Sequence, residues 1–254
     1  MVLLTDRDRE LWKCFSDLME LEADISYPFL LEVYDDYNQG LLKKVDFIRI
    51  LRLVESYIFR RAVCNISASV MNKMFAELMN EVDKNNYLES LNNAFLGMDT
   101  NKRYPTDTAF KEAFIHMDVY NFKKRNRRDY LLHKLENCER GKEPIIDFSG
   151  YTIEHIMPQN LSEAWKQELG EDFRRIHRRW LHRIGNLTLT LYNSEYGNLT
   201  FKKKRDMPKK GLSSSPLHLS QSFASTEQWN EGTIIARAEK LAEKAVKIWI
   251  YPAN

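Results

Sequence analysis

Several large protein classes are excluded by what this sequence lacks. Its three cysteines, Cys14, Cys64 and Cys138, are odd in number, widely spaced and form no C-x-x-C pair. Neither a disulfide framework nor a cysteine zinc site is indicated, and a reduced, cytoplasmic setting is expected. No apolar run approaches the roughly 18 residues of a membrane span, and mean hydropathy is −0.52. The opening MVLLTDRDRE meets its first charge at Asp6, too early for the apolar core of a signal peptide. There is no H-E-x-x-H, which argues against a metalloprotease, and no Walker-type glycine loop. Internal repeats and low-complexity tracts are also missing.

What remains is the balance of a soluble globular protein. The chain has 254 residues, 43% hydrophobic and 29% charged, enough for one large domain or two ordinary ones. Its formal charge of +2 hides an asymmetry: residues 122–211 carry 20 Lys+Arg against 12 Asp+Glu, so the remainder is net acidic. A basic segment in an otherwise acidic chain suggests a polyanion surface, although a solvated charged face would read the same way.

The first half reads as helices. Ile48, Leu51, Val54 and Ile58 recur every three or four positions, as do Val70, Met74 and Leu78, and then Leu88, Leu91 and Phe95. Ser67 is a candidate cap for the second of these, and Pro28 and Pro105 mark breaks or starts. Trp12, Trp165 and Trp249 are expected in the core, with Met71, Met74 and Met79 as packing residues. Near residue 141 the texture changes. IIDFSGYTIEHI is rich in β-formers, a helical section is expected from about Ser162 to Leu181, and GNLTLTLYN alternates like a strand. FKKKRD could open a short helix, GLSSSPLHLSQS reads as a loop, and Ser225 with Gln228 has capping-box spacing before a final helix.

Candidate chemistry lies between Tyr151 and Arg205. Glu154 can hold a hard cation, and the adjacent His155 can take a proton from water near neutral pH. Neighbouring strand residues face opposite ways, so both serve one site only if the strand ends or bends there. Asn186 and Asn193 flank the second strand, where asparagine is depleted; its amide can brace a loop or lend an oxygen to a cation. Asn198 reads equally well as turn chemistry in Gly197-Asn198. His182 reads equally as a packed imidazole or as support for the site. Arg175 and Arg179 are one helical turn apart and could line a face with Arg174, Arg178 and Arg183, and KKKR follows at 202–205.

The order acid-His, Gly-Asn, short strand, second Asn and basic residues resembles the HNH nucleases. More closely, YTIEHIMPQ…HRIGNLTLTLYNSEYGN followed by F and KR resembles the C-terminal nuclease domain of GmrSD-type, modification-dependent restriction endonucleases. YPFLLEVYDDY, ESYIFRRAVC and ARAEKLAEKAVKIW look like that family's helical flanks, extending the resemblance over nearly the whole chain. It implies Glu154 and Asn193 as metal ligands for Mg²⁺ or Mn²⁺, His155 as general base and Asn186 as the loop brace. Lys203, Lys204 or Arg205 would meet the phosphate, Arg175 and Arg179 the DNA backbone, and His182 and Asn198 would stand behind the site.

The implied fold is mainly α (α+β): a helical domain over 1–140, an embedded ββα-metal unit over 141–211, and a loop and C-terminal helix over 212–254. The implied reaction is metal-dependent hydrolysis of a DNA phosphodiester, in a restriction or phage-defence system, on DNA that can include modified cytosine. The nucleotide-dependent D-G-Q-Q-R-like motif of related proteins is not found in these residues, so such a domain or subunit is expected to be a partner. The alternative from another class is a non-catalytic helical module that binds DNA or a partner subunit through its basic segment.

Overall fold

The computed structural model describes residues 6–138, 140, 144 and 146–252. It is mainly helical with one small antiparallel sheet, as expected, and forms two compact units. One runs to Ala113 and includes the chain from Val246; the other spans Phe114–Ala245. Among the described residues no helix is long and apolar enough to cross a membrane.

The first unit contains α1 (Asp6–Glu20), α2 (Tyr27–Asn38), α3 (Lys44–Val63), α4 (Met71–Glu77) and α5 (Tyr87–Leu96). Pro28 sits in the first turn of α2, where its missing N–H would have had no helical partner. α3 carries the expected stripe and more. From Leu53 to Arg61 every side chain is buried, which makes it a central helix rather than a surface one. Its two arginines are buried with it. Arg60 donates to the carbonyls of Trp249 (2.7 Å) and Pro105 (2.9 Å) and pairs with Asp107. Arg61 donates to Arg103, Ser67 and Asn101 carbonyls. Phe59 stacks on Trp249 at 4.1 Å.

Three local expectations are corrected. Ser67 does not cap α4: its hydroxyl accepts from Ser69 N–H in a local turn, and Val70 stands at the helix start. Trp12 is 60% exposed on α1, whereas Trp165 and Trp249 are buried. The final helix starts later than Ser225, and its N-terminal cap is Asn230, whose Oδ1 accepts from Thr233 N–H at 3.1 Å.

α6 (Asp107–His116) and the final helix contribute residues to both units. The second unit continues with α7 (Arg125–Asn137), β1 (Thr152–His155), α8 (Glu163–Leu169), α9 (Phe173–Trp180), β2 (Leu187–Thr190), α10 (Asn193–Tyr196), α11 (Phe201–Arg205) and α12 (Glu231–Ile248). The helix expected from Ser162 is two helices. Ser162 caps α8, and Gly170, at φ +74°, ends it in a conformation other residues rarely adopt. The segment expected as a loop winds into 3₁₀ turns at Leu212–Ser214 and His218–Ser225.

β1 and β2 pair antiparallel with Thr152 opposite Thr190 and His155 opposite Leu187. Every β2 residue is buried, threonines included, so the Leu/Thr alternation does not separate core from solvent. A core of Ile156, Trp165, Trp180, Tyr196, Phe201 and Trp229 packs this unit. Gly185 is required just before β2, because a Cβ there would collide with the Ile234 carbonyl of α12. From α12, buried Arg237 donates to the carbonyls of Ile184 (2.9 Å), Gly185 (3.0 Å) and Leu187 (2.8 Å). The turn that begins β2 is thereby held from the helix side.

Candidate active site at the end of the hairpin

β1 ends at His155, so the condition for Glu154 and His155 to share one site is met. Both line a cleft of about 470 Å³, together with Tyr120, Asn160, Asn193 and Asn198. A larger groove of about 660 Å³ lies in the first unit, lined by Met74, Glu77, Glu81, Asn93, Asp99 and Lys102 among others. It has no histidine or cysteine in its lining and gathers none of the candidate residues.

Asn186 makes the loop behind the cleft a single fixed piece. It is fully buried, and its Oδ1 accepts from Met157 N–H (2.8 Å) and Trp229 Nε1–H (3.0 Å). Its Nδ2 donates to the carbonyls of Met157 (2.9 Å) and Leu181 (3.0 Å). All four bonds an amide can readily make are formed. They tie the chain after His155 to the chain before His182.

Lys204 is not on the surface. It projects from α11 into the protein with no exposure and forms an ion pair with Glu154 Oε1. It also donates to the carbonyls of His155 (3.0 Å) and Ile156 (3.2 Å). Three acceptors match the three N–H donors of an ammonium group. Burial pushes Glu154 up to about 7, against the attraction of Lys204. Burial likewise lowers Lys204, against the attraction of Glu154.

His155 is buried and held low, to about 3, first by burial and then by His182, Lys204 and His177, with Asp118 opposing. It is therefore a neutral imidazole at pH 7. Its Nε2 lies 3.1 Å from Nδ1 of His182, whose own basicity is lowered by burial. Tyr120 meets the His155 ring edge-on at 4.5 Å and stacks on His182 at 5.2 Å and 12°. His177 approaches from α9, its Nε2 3.0 Å from the Pro158 carbonyl oxygen in the loop after β1.

The remaining candidates divide by exposure. Asn193 is half-buried and donates through Nδ2 to the Ile153 carbonyl (2.7 Å) and Thr152 Oγ1 (3.3 Å), leaving Oδ1 out of those bonds. Asn198 is exposed at the cleft with no hydrogen-bond partner among the described residues. Lys203 is exposed on α11. Arg205 is engaged with Asp206, Glu227 and the Thr226 carbonyl. Arg175 on α9 is held by Asp172 and Glu231, while Arg179 lies over the Trp180 ring at 5.1 Å. Arg174 and Arg178 are exposed on the same helix.

Besides the His155 imidazole and the Tyr120 hydroxyl, the side-chain donors lining the cleft are one carboxylate and neutral amide oxygens. Among the described residues no three His, Cys, Asp or Glu side chains cluster as a metal cage. That set suits a hard cation that keeps several waters and takes few protein ligands, as Mg²⁺ does, and not a closed zinc or calcium site.

Sequence reasoning missed Tyr120, Asp118 and Trp229. The first two lie more than thirty residues upstream of His155, and no spacing links them to it. Trp229 reads as an ordinary core residue until its indole N–H is seen on Asn186.

No curated protein matches the chain. The family model described as GmrSD restriction endonucleases, C-terminal domain, matches residues 104–244. That range contains nearly all of the second unit and every candidate residue above, while YPFLLEVYDDY and ESYIFRRAVC lie outside it. The chain belongs to the GmrSD restriction endonuclease family, and the matched region is that family's C-terminal domain.

Proposed function

We propose that the second unit hydrolyses DNA phosphodiester bonds by HNH-type chemistry. The observation that carries this reading is the meeting of Glu154 and neutral His155 at the end of β1, in one open cleft with Asn193 and Asn198. His155 takes a proton from the attacking water, which a neutral imidazole can do and an imidazolium cannot. Asn186 keeps His155 in place through the loop it clamps. Glu154 and the amide oxygens of Asn193 and Asn198 would hold Mg²⁺ or Mn²⁺. When bound, that ion supplies positive charge to the scissile phosphate and the leaving oxygen. The products are a 3′-hydroxyl and a 5′-phosphate.

Lys203, Arg174 and Arg178 are exposed cations suited to backbone phosphates, which they would neutralise without reading sequence. Lys204 has a different part in this reading, as an internal counter-charge that opposes the effect of burial on Glu154 and fixes its carboxylate. A nucleotide-dependent partner domain or subunit and a preference for modified cytosine belong to the same reading.

Cleavage of plain and glucosylated hydroxymethylcytosine DNA with Mg²⁺ or Mn²⁺, beside a His155→Ala control, tests it. Cutting that needs both metal and His155 is expected; cutting by a folded His155→Ala protein at the wild-type rate removes the mechanism. The presence of a single carboxylate at the cleft, already paired with Lys204, favours a second reading, a module that binds DNA without cutting it. That module would bind in a salt-sensitive way, indifferent to Glu154 and to divalent metal.

A further inference from the structure

Two imidazoles in contact raise a question of direction. A neutral histidine carries one N–H, so of His155 Nε2 and His182 Nδ1, 3.1 Å apart, one donates and the other accepts. Nε2 of His155 is occupied by this contact, which leaves Nδ1 as the nitrogen that can meet water. Nδ1 is proton-free only when the proton is on Nε2. We propose that His182 is a positioning residue for His155: its Nδ1 accepts the Nε2–H of His155, which fixes the ring and leaves Nδ1 of His155 bare toward water. This rests on the reading of His155 as the general base.

The surroundings of His182 are built to hold it still. Its carbonyl accepts from Val119 N–H (3.0 Å) and Tyr120 N–H (3.4 Å), so the Tyr120 segment and His182 are joined through their backbones. The Tyr120 ring then lies parallel to the His182 ring and edge-on to His155, limiting rotation of both. Arg128 of α7 donates to the Tyr120 carbonyl at 3.3 Å and places its guanidinium 5.6 Å from the Tyr120 ring. On the other side, Asn186 Nδ2 holds the carbonyl of Leu181, the residue before His182. A chain of contacts therefore runs from α7 through Tyr120 and His182 to His155. Locking a reacting group's orientation by such a shell is a recognised source of rate, since small misplacements are costly.

The test is nuclear magnetic resonance of the full chain with ¹⁵N-labelled histidine at neutral pH. A scalar coupling between His155 Nε2 and His182 Nδ1, with the proton attached to His155 Nε2, is expected. The proton found on His182 Nδ1, or no coupling at all, overturns the proposal. In kinetics, His182→Ala should lower kcat about 10- to 100-fold with KM for DNA unchanged. His182→Asn, which can place an amide oxygen where Nδ1 stood, should recover part of that loss and guards against a folding artefact in the alanine variant. A folded His182→Ala protein with wild-type kcat also overturns the proposal. Wild-type cleavage by His155→Ala would instead remove the base reading, and the coupling experiment reports on the hydrogen bond regardless.

Discussion

Both units bury charge, and they use it differently. In the first, Arg60 and Arg61 of α3 lie in the interior and collect backbone carbonyls, with Asp107 beside Arg60. Nothing of candidate chemistry is near them. In the second, Lys204, Glu154, His155 and Asn186 are equally hidden, yet Glu154 and His155 also border an open cleft. Buried polarity alone therefore does not mark a functional site. The distinguishing feature is that Glu154 and His155, though buried and partnered, also line an open cleft.

The largest effect is expected at His155. General-base catalysis contributes about 10²- to 10⁴-fold, so His155→Ala should lose at least that order of cleavage rate while its thermal unfolding stays cooperative. Arg60→Met in the first unit should do the reverse, lowering stability while the fraction that remains folded retains wild-type kcat.

Next in size is the buried ion pair. Lys204→Met leaves Glu154 enclosed without its cation and should destabilise the protein by about 3–5 kcal/mol in denaturant titration. Adding Glu154→Gln to that variant should restore part of the loss. A double variant no more stable than Lys204→Met alone would show that Lys204 acts through its carbonyl contacts instead. Asn186→Ala orphans the Met157 and Trp229 N–H groups, each at about 1–3 kcal/mol, and should lower the melting temperature in calorimetry.

The stability of the second unit should also depend on pH through His155 and Glu154. His155 titrates near 6.5 when unfolded but is held to about 3 when folded, so the unfolded chain binds the extra proton between those values. Its contribution to stability is complete above pH 6.5 and is lost as pH falls toward 3, by up to about 1.4 kcal/mol per pH unit. Glu154, raised to about 7 in the fold, works the other way between 7 and its ordinary value. The stability of His155→Asn should therefore gain on wild type steadily from pH 6.5 to 4.5. Parallel curves would contradict the low basicity of His155. The smallest effect is expected at Arg175, whose pairs with Asp172 and Glu231 are largely exposed; Arg175→Ala should change stability by under about 1 kcal/mol.

Much of the second unit was legible from residue order. Gly185-Asn186, the Leu/Thr run and the acid-His pair announced both strands, because local backbone needs leave local marks. Lys204 was illegible. KKKR reads as a basic run facing phosphate, and only a pairing across fifty residues of chain turns one of its members inward. Arg205 and Arg175 were similarly absorbed by acids that the fold brings near. Trp12 and Ser225 misled for the same reason: a residue type predicts a tendency, and tertiary packing decides whether it is used.

A divalent-metal titration of DNA cleavage with wild-type protein and Glu154→Ala tests the proposed nuclease chemistry most directly. Saturable, metal-dependent cutting by the wild type that disappears in Glu154→Ala, with DNA binding retained in both, is the predicted result. Metal-independent DNA binding with no cutting by either protein, measured with a nucleotide-dependent partner present, would contradict it and leave a binding module.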